Sequence, residues 1–535
     1  MKWFFSLAAL AIAATATAQS ARPDAVPLTL DAAVQRAIEH NPDLAIVRLD
    51  TEVEAARVDQ SLSAYTPMFS ATAARFRNTT PPDNALSAST GLDVQDSFSS
   101  TGVTQRLPWG GGTWNASWDA SRTTTNSPIS SFDPNLQSGI QLGFSQPILR
   151  DRAIDVSRRQ YVVAKRDHDN SELRFHESLV QTIAGVKQAY WTLKAAIANV
   201  GVQQRSLELA QELARQNRIR VDAGQIPPVD LVQADAEVAQ RRENVIQARA
   251  TAGDAEDRLR RLIMDPADAA FWATALDPID TPPDPASLPD ADAAVAKALG
   301  SRSDLARAAN DLENAKTDVA YLGNQRLPDV RVEALYRGNG LGGRQLLRTG
   351  DFPGIVTGTR DRSFANAFGQ AFGSDYQTWS VGVTVSYPLG RSYADASLAR
   401  AQVERSQAAQ RIAILRLDTA ETVRRAARQV QSTAERVDAA RAGAGLAEQR
   451  FNDEQRRYDV GLTTTFLVTQ AQRDLLQAQV TLLQTMLDYQ SATVDFEAVQ
   501  QAPPAGTGDV TVRGANIILP ATPAPQGLFR AGAGQ

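Results

Sequence analysis

Residues 376–387, YQTWSVGVTVSY, alternate with a period of two. Trp379, Val381, Val383, Val385 and Tyr387 fall on one parity, and Thr378, Ser380, Gly382, Thr384 and Ser386 on the other. Successive strand residues point to opposite faces of a sheet, so this segment has one apolar face with aromatics near its ends and one small, polar face. A soluble sheet with one buried face shows the same period. Strands of about 10 residues, apolar outside and Gly/Ser/Thr inside, also suit a lipid-facing β-barrel, with aromatics at the membrane interface.

Two earlier segments repeat the pattern. Residues 136–146 set Leu136, Ile140, Leu142 and Phe144 against Gln137, Gln141, Gly143 and Ser145, and residues 113–121 put Trp114 and Trp118 on an apolar face. Stretches 80–96, 125–135 and 338–375 read as long polar loops. The interval from Pro67 to Pro147 exceeds that from Pro328 to Pro388 by the length of a hairpin, for which Pro108-Trp109-Gly110-Gly111-Gly112 supplies a turn. This hairpin either widens the barrel or lies beside it.

The N-terminus carries Lys2, an apolar run from Trp3 to Ala14 and the small residues Ala16-Thr17-Ala18, the layout of a secretory signal cleaved after Ala18. That run is shorter than the roughly 20 residues a spanning helix needs. No later apolar stretch is long enough either, so a membrane-inserted form of the mature chain must be a closed barrel. Cysteine is absent, which excludes disulfides, thiolate metal sites and a lipidated cysteine. With 55 Lys+Arg against 60 Asp+Glu, well mixed, no basic surface for nucleic acid is present.

The chain is internally duplicated. Ala33, Val34, Ala37, Asp43, Leu44 and Ala45 recur at constant spacing as Ala294, Val295, Ala298, Asp304, Leu305 and Ala306; Arg220, Asp222, Gly224, Gln233 and Ala234 recur as Arg457, Asp459, Gly461, Gln470 and Ala471. We divide it into a signal (1–18), a first repeat (19–264), a Pro- and Asp-rich connector (265–290) with a short helix near 267–275, a second repeat (291–500) and a Pro/Ala/Gly tail (501–535). Within each repeat the order is helix, strands, very long helix, turn, return helix. Residues 28–64 are helical except at Asn41-Pro42, where the ring and missing N–H interrupt the helix. Residues from about 150 to 223 contain no breaker and make a helix on the order of 110 Å long. The return helix, 228–264, is half that length, and stacked end to end with 28–64 it matches the long one. Residues 391–459 and 464–500 repeat the arrangement. Dense alanine, as at Ala399, Ala401, Ala408 and Ala409, lets such helices pack closely over a long seam. Helices alone would equally suit a dimeric coiled coil.

The opening LTLDAAVQRAIEHNPDL, the corner GFSQPILRD and the paired turns DAGQIPPVDLVQADAEV and YDVGLTTTFLVTQAQRDL resemble the TolC-type outer membrane factor family over nearly the whole mature chain. The resemblance implies a mainly α chain with a membrane β-barrel portion, trimeric, in the outer membrane and extending into the periplasm. A periplasmic adaptor and an inner-membrane pump would engage its tip, and outer-membrane lipid its barrel. The implied site residues are Gly224, Val460, Gly461 and Leu462 at the adaptor-docking tip and a gate bond from Asp230 to Tyr458. The family's Arg at the gate is Thr463 here, and the aspartate positions of a second lock are Leu467 and Gln470. The lipid-facing residues are Trp114, Trp118, Leu142, Phe144, Trp379, Val381, Val383 and Val385. A periplasmic coiled-coil adaptor or scaffold is the alternative, but it would not need the alternating strands.

No enzyme motif emerges. Gly338, Gly340 and Gly343 spell GxGxxG, but without a following helix to offer its N-terminus to a phosphate, and they read as a surface loop. Of His40, His168 and His176, the last two stand eight apart on one helix, too far to share a metal without other ligands, and they read as solvated helix residues. No catalytic residue, cofactor or metal is expected.

Overall fold

The computed structural model describes residues 25–82, 91–265, 267–283, 289–390 and 392–503. The expected signal, the tail past 503 and parts of loop 80–96 and of the connector lie outside the described residues.

The elements form two related series. The first is β1 (Ala25–Leu28), α1 (Leu30–His40), α2 (Pro42–Leu62), β2 (Met68–Thr80), β3 (Leu92–Arg106), β4 (Thr113–Thr125), β5 (Phe132–Pro147), α3 (Val156–Asp222) and α4 (Pro228–Ile263). The second is β6 (Ala275–Pro278), α5 (Ala291–Ser301), α6 (Ser303–Gln325), β7 (Asp329–Thr349), β8 (Ile355–Arg362), α7 (Phe364–Gly373), β9 (Tyr376–Ser386), α8 (Tyr393–Asp459) and α9 (Thr465–Val499). Among the described residues no helix is long and apolar enough to cross a membrane.

α3 and α8 each run 67 residues without a break, about 100 Å. α3 starts later than expected because the corner before it is structured. Asp151 takes a left-handed φ of 66°, its N–H donates to Asn324 Oδ1 at 2.7 Å and Gln325 Nε2 donates to its carboxylate at 2.6 Å. Asp155 then caps the helix by accepting from Arg158 N.

Each long helix lies along a broken track. In the first series the break falls at Asn41, whose extended backbone (φ −67°, ψ 119°) ends α1 and caps α2. Its side-chain oxygen accepts from Leu44 N and its amide donates to Leu262 O, both at 3.0 Å. In the second series Arg302 holds the same place (φ −72°, ψ 131°). Its guanidinium grips Asp304 at 2.9 and 2.6 Å and donates to Val499 O at 3.0 Å. Both residues hook onto the last turn of a return helix, α4 or α9, so the short helices stack end to end as expected. The packed pairs give four tracks abreast: α2 with α4, then α3, then α6 with α9, then α8.

The largest core lies midway along the wall. Tyr190, Leu193, Ala33, Ala37, Leu259 and Ile263 are essentially fully buried there beneath the short parallel pair β1 and β6. The connector, expected to be irregular, thus contributes a strand, and Asp280 fastens it by accepting from Leu30 N at 2.6 Å.

The remaining strands form one sheet in the order β2-β3-β4-β5-β7. β9 pairs with β7 over residues 329–339 and β8 pairs with it over 343–349. Stretch 338–375 is therefore no loop: it holds the outer half of β7, then β8 and α7. The glycines read as a loop motif lie in β7, where Gly338 and Gly340 let α7 sit on the strand and Gly343 lies against Pro134 of β5. A Cβ at Gly338 would come 2.2 Å from Ala371 O, and one at Gly340 would come 1.7 Å from Ala367 O.

Two outcomes follow from these packings. Arg302→Ala strands buried Asp304 and should lower stability by about 3–5 kcal/mol, whereas Asn41→Ala, losing a cap and one hydrogen bond, should cost about 1–2 kcal/mol; thermal unfolding followed by circular dichroism orders the two. Gly340→Ala should lift α7 off the sheet and open the 350–375 segment to proteolysis while leaving helix content unchanged. Unaltered cleavage would show that α7 does not depend on this approach.

Candidate functional site

Two surfaces come from the expected residues: one face of the sheet, and the tip where the helices turn.

The ladders fix the sheet face. Trp114 stands opposite Phe144, Phe144 opposite Ala334, and Ala334 opposite Val381. One rung on, Ala116, Leu142, Tyr336 and Trp379 line up, followed by Val332 with Val383 and Val330 with Val385. All eight residues expected to face lipid thus share one face of one sheet. The opposite face carries Asn115, Ser117, Asp119, Gln137, Gln141, Gly143, Ser145, Ser380, Gly382 and Thr384. Phe76 and Phe98, edge-on at 6.4 Å, interrupt this polar face towards the outer end. In a single copy both faces of β9 are open, so residue chemistry separates them, not exposure.

Trp118 needs a correction. It lies on the apolar face, but α7 covers it: its ring packs edge-on against Phe364 and Phe368, and Nε1 donates to Ser138 Oγ at 2.9 Å. The outermost surface there belongs to α7, FANAFGQAFG, which has no charged residue and leaves Phe372 57% exposed. Reading 338–375 as polar loop hid this helix, although its Phe364, Phe368 and Phe372 recur at helical spacing.

At the tip, the two turns are copies of one cap. Gly224 and Gly461 have φ of +69° and +76°, and the next residue's N–H in each, Gln225 or Leu462, donates at 2.8 Å to the carbonyl of Arg220 or Arg457. This is the left-handed glycine cap of a helix C-terminus. A Cβ at either glycine would meet nothing, so backbone conformation and not space requires the glycine. Val460 and Leu462 are 70% and 79% exposed, and Val229, Val232 and Phe466 extend the apolar tip. These last three were missed because helical spacing alone did not show them to be outward.

The expected bond from Asp230 to Tyr458 is absent within a copy. Tyr458 is buried, and its hydroxyl donates to Asn217 Oδ1 at 2.6 Å, with Thr465 Oγ1 3.4 Å away. Arg220 lies over its ring at 4.0 Å. The reason is helix order: Tyr458 points into the seam among α3, α8 and α9, where Leu213, Val468 and Ala471 enclose it, while Asp230 sits in the first turn of α4. Thr463 donates to Glu454 at 3.0 Å.

Above the tip, buried Glu237 of α4 is held at 2.5 Å by Arg241 of its own helix and by Arg473 of α9. Burial works to raise this carboxyl, but the arginines outweigh it and hold it below the usual carboxylate range. The clasp joins the return helices of the two repeats. Among the described residues, His168, Asp169 and Glu172 group on one turn of α3, with Asp169 and Glu172 exposed and only helix-neighbour spacing to explain it.

The duplicated wall, the sheet and the paired caps agree with what the comparisons find. The family model for outer membrane efflux protein matches residues 33–263 and 294–499. The chain belongs to this family. It is therefore an outer-membrane channel protein that extends into the periplasm, in a family of channels and not of enzymes, and the adaptor or scaffold alternative is set aside. No curated protein matches the chain by sequence. Among solved structures it is similar to the CmeC outer membrane channel of Campylobacter jejuni (16% identity, TM-score 0.62, 90% of this chain and 87% of that one). It is also similar to VceC of Vibrio cholerae (15%, 0.62, 88% and 96%) and to the open state of MtrE of Neisseria gonorrhoeae (15%, 0.61, 89% and 89%).

The clasp yields a pH-dependent outcome. A carboxyl lowered by folding stabilises fully above the ordinary glutamate value, near about 4.3, and loses that contribution as pH falls through the folded value. Glu237→Gln should cost roughly 2–3 kcal/mol, less than a wholly buried pair because Arg473 is half exposed. The difference from wild type should hold from about pH 8 to about pH 5 and shrink only in stronger acid. A difference that vanished near pH 6 would contradict the depressed carboxyl.

Proposed function

We propose that three copies close side by side into one conduit: a barrel in the outer membrane continued by a helical tunnel through the periplasm. Cargo is delivered by an inner-membrane pump through a periplasmic adaptor that docks on the Val460-Gly461-Leu462 tip. The observation that carries this reading is that sheet and wall end on the same two sides. β2 and α2 form one border of the copy, β9 and α8 the other. Both strands are exposed along their whole length. The border helices expose Ile46, Leu49 and Val53 on one side and Val403, Ile414 and Leu417 on the other. Neighbouring copies supply the partner for every one of these groups. A lone open sheet would leave peptide groups unpaired in hydrocarbon.

Three such copies give three tips. In each, Tyr458→Phe should loosen the seam without unfolding it, since it removes only the hydroxyl's bond to Asn217, worth about 1 kcal/mol, and the longer contact from Thr465.

The test of the membrane face pairs two adjacent residues of β9. Val383→Arg should impair insertion by roughly 2–4 kcal/mol, while Thr384→Arg, on the inner face, should be tolerated. Outer-membrane fractionation and the heat-modifiable trimer band on gels measure both; equal damage would reverse or abolish the assignment of faces, and recovery of wild type as a detergent-free monomer would end the channel reading.

A further inference from the structure

The two repeats contribute unequally to the sheet. The second gives β7 with β9 on its inner half and the short β8 on its outer half, one strand's width in all beside β7, and the first gives β2, β3, β4 and β5. Two strands from each repeat would make four per copy. We propose that the β3–β4 hairpin is a structural part of the barrel wall, so that six strands per copy, about eighteen in the ring, enclose a lumen about half as wide again as four per copy would. The edge that completes it is β9 of one copy against β2 of the next. This inference rests on the trimer proposed above.

Three observations carry it. The ladders that join the hairpin to its neighbours, β2 to β3 and β4 to β5, run without a register shift, so the hairpin cannot lie beside the barrel unless two complete ladders break. The faces also carry through it at the end nearest the helices: Val103 lines up with Ala116 and Phe69 on the apolar side, and Ser100 with Asp119 and Thr72 on the polar side, where Ser100 Oγ donates to the Asp119 carboxylate at 2.6 Å, although farther out β3 turns Thr101, Ser99 and Ser97 to the apolar side.

The third is a match of circumference. Four helix tracks at about 9–10 Å apart occupy an arc of about 40 Å per copy. Strands about 4.8 Å apart and tilted by about 40° take about 6 Å of arc each. Six strands then span about 38 Å and four only about 25 Å. Six continue into the helical wall at nearly constant radius. Four would force the wall to taper where Asp151 and Asn324 fix the corner.

The edges fit each other in chemistry and direction. β2 runs away from the helices and β9 returns to them, so a neighbour's β9 meets β2 antiparallel. Both place small or polar residues inward, Ser70, Thr72 and Ala74 on β2 and Ser380, Gly382 and Thr384 on β9.

The experiment uses the full-length protein extracted from outer membranes in mild detergent and imaged by electron cryomicroscopy. Six strands per copy in a three-fold ring is the result expected. A three-fold ring with four strands per copy, and the hairpin outside it, overturns the wide barrel and leaves the trimer standing; particles without three-fold symmetry overturn the trimer itself. Because the chain lacks cysteine, engineered pairs give an independent reading. Combinations of Ser70→Cys, Thr72→Cys or Ala74→Cys with Ser380→Cys, Gly382→Cys or Thr384→Cys should yield a cross-linked trimer on oxidation. These pairs read the seam between copies, which the strand count from imaging complements; cross-linking of β9 to Ser117→Cys or Asp119→Cys of β4 instead would place β4 at the edge and overturn the wide barrel.

Discussion

A peptide group in hydrocarbon has no water to bond, and every such group must find its partner within the protein. This constraint organises the sheet end of the molecule. It explains why β2 and β9 are long, regular and unblunted by proline or inward charge, features that a soluble protein would treat as an aggregation hazard. It also explains why the borders of the helical wall coincide with those of the sheet. In the proposed trimer a neighbour that satisfies the strand edges would lie beside α2 and α8 and cover their exposed Ile46, Leu49, Ile414 and Leu417.

The helical wall meets a different requirement. A rod of 67 residues has little core of its own, and helices of this length hold shape by continuous lateral packing. Small residues such as Ala210, Ala234, Ala248, Ala427 and Ala434 line the buried seams. The broken tracks add fixed points: Asn41 and Arg302 bind the last turns of α4 and α9 and so set where each half ends. That one junction uses a neutral amide and the other a buried ion pair shows the repeat conserving geometry and not chemistry. Tyr190, between Leu28 O and Asp280, secures the middle of the rod in the same way.

What the sequence made legible follows from the range of the interaction involved. The period of two in β9 and the glycine caps at Gly224 and Gly461 are local, so their strand and turn assignments hold. Asn41-Pro42 is also local, and its break is where the ring demands it. The outer half of β7 reads as loop because it is glycine-rich, and glycine there answers to the backbone of α7, a tertiary neighbour that composition does not reveal. Tyr458 was paired with Asp230 by resemblance. Its actual partner, Asn217, lies on α3, and only the packing of α3 beside α9 brings that amide within reach. Trp118 had the right face but a covering helix read as loop.

The same distinction separates the rigid part of the molecule from the part able to rearrange. Midway along the wall, large side chains are fully enclosed and the polar groups of Tyr190 and Glu256 are partnered. At the tip the seam around Tyr458 is buried but polar: the phenol and Thr465 both turn to Asn217 Oδ1, at 2.6 and 3.4 Å, and Asn217 and Gln472 are themselves buried. Such a seam stabilises one arrangement less firmly than the apolar core does. The clasp at Glu237 lies just above it and ties α4 to α9 whatever the turns do. Beyond the clasp the two glycine caps reverse the chain and apolar side chains stand exposed. The packing around Asn217 and Tyr458 is thus a cluster of its own, separate from the apolar core that holds the middle of the wall.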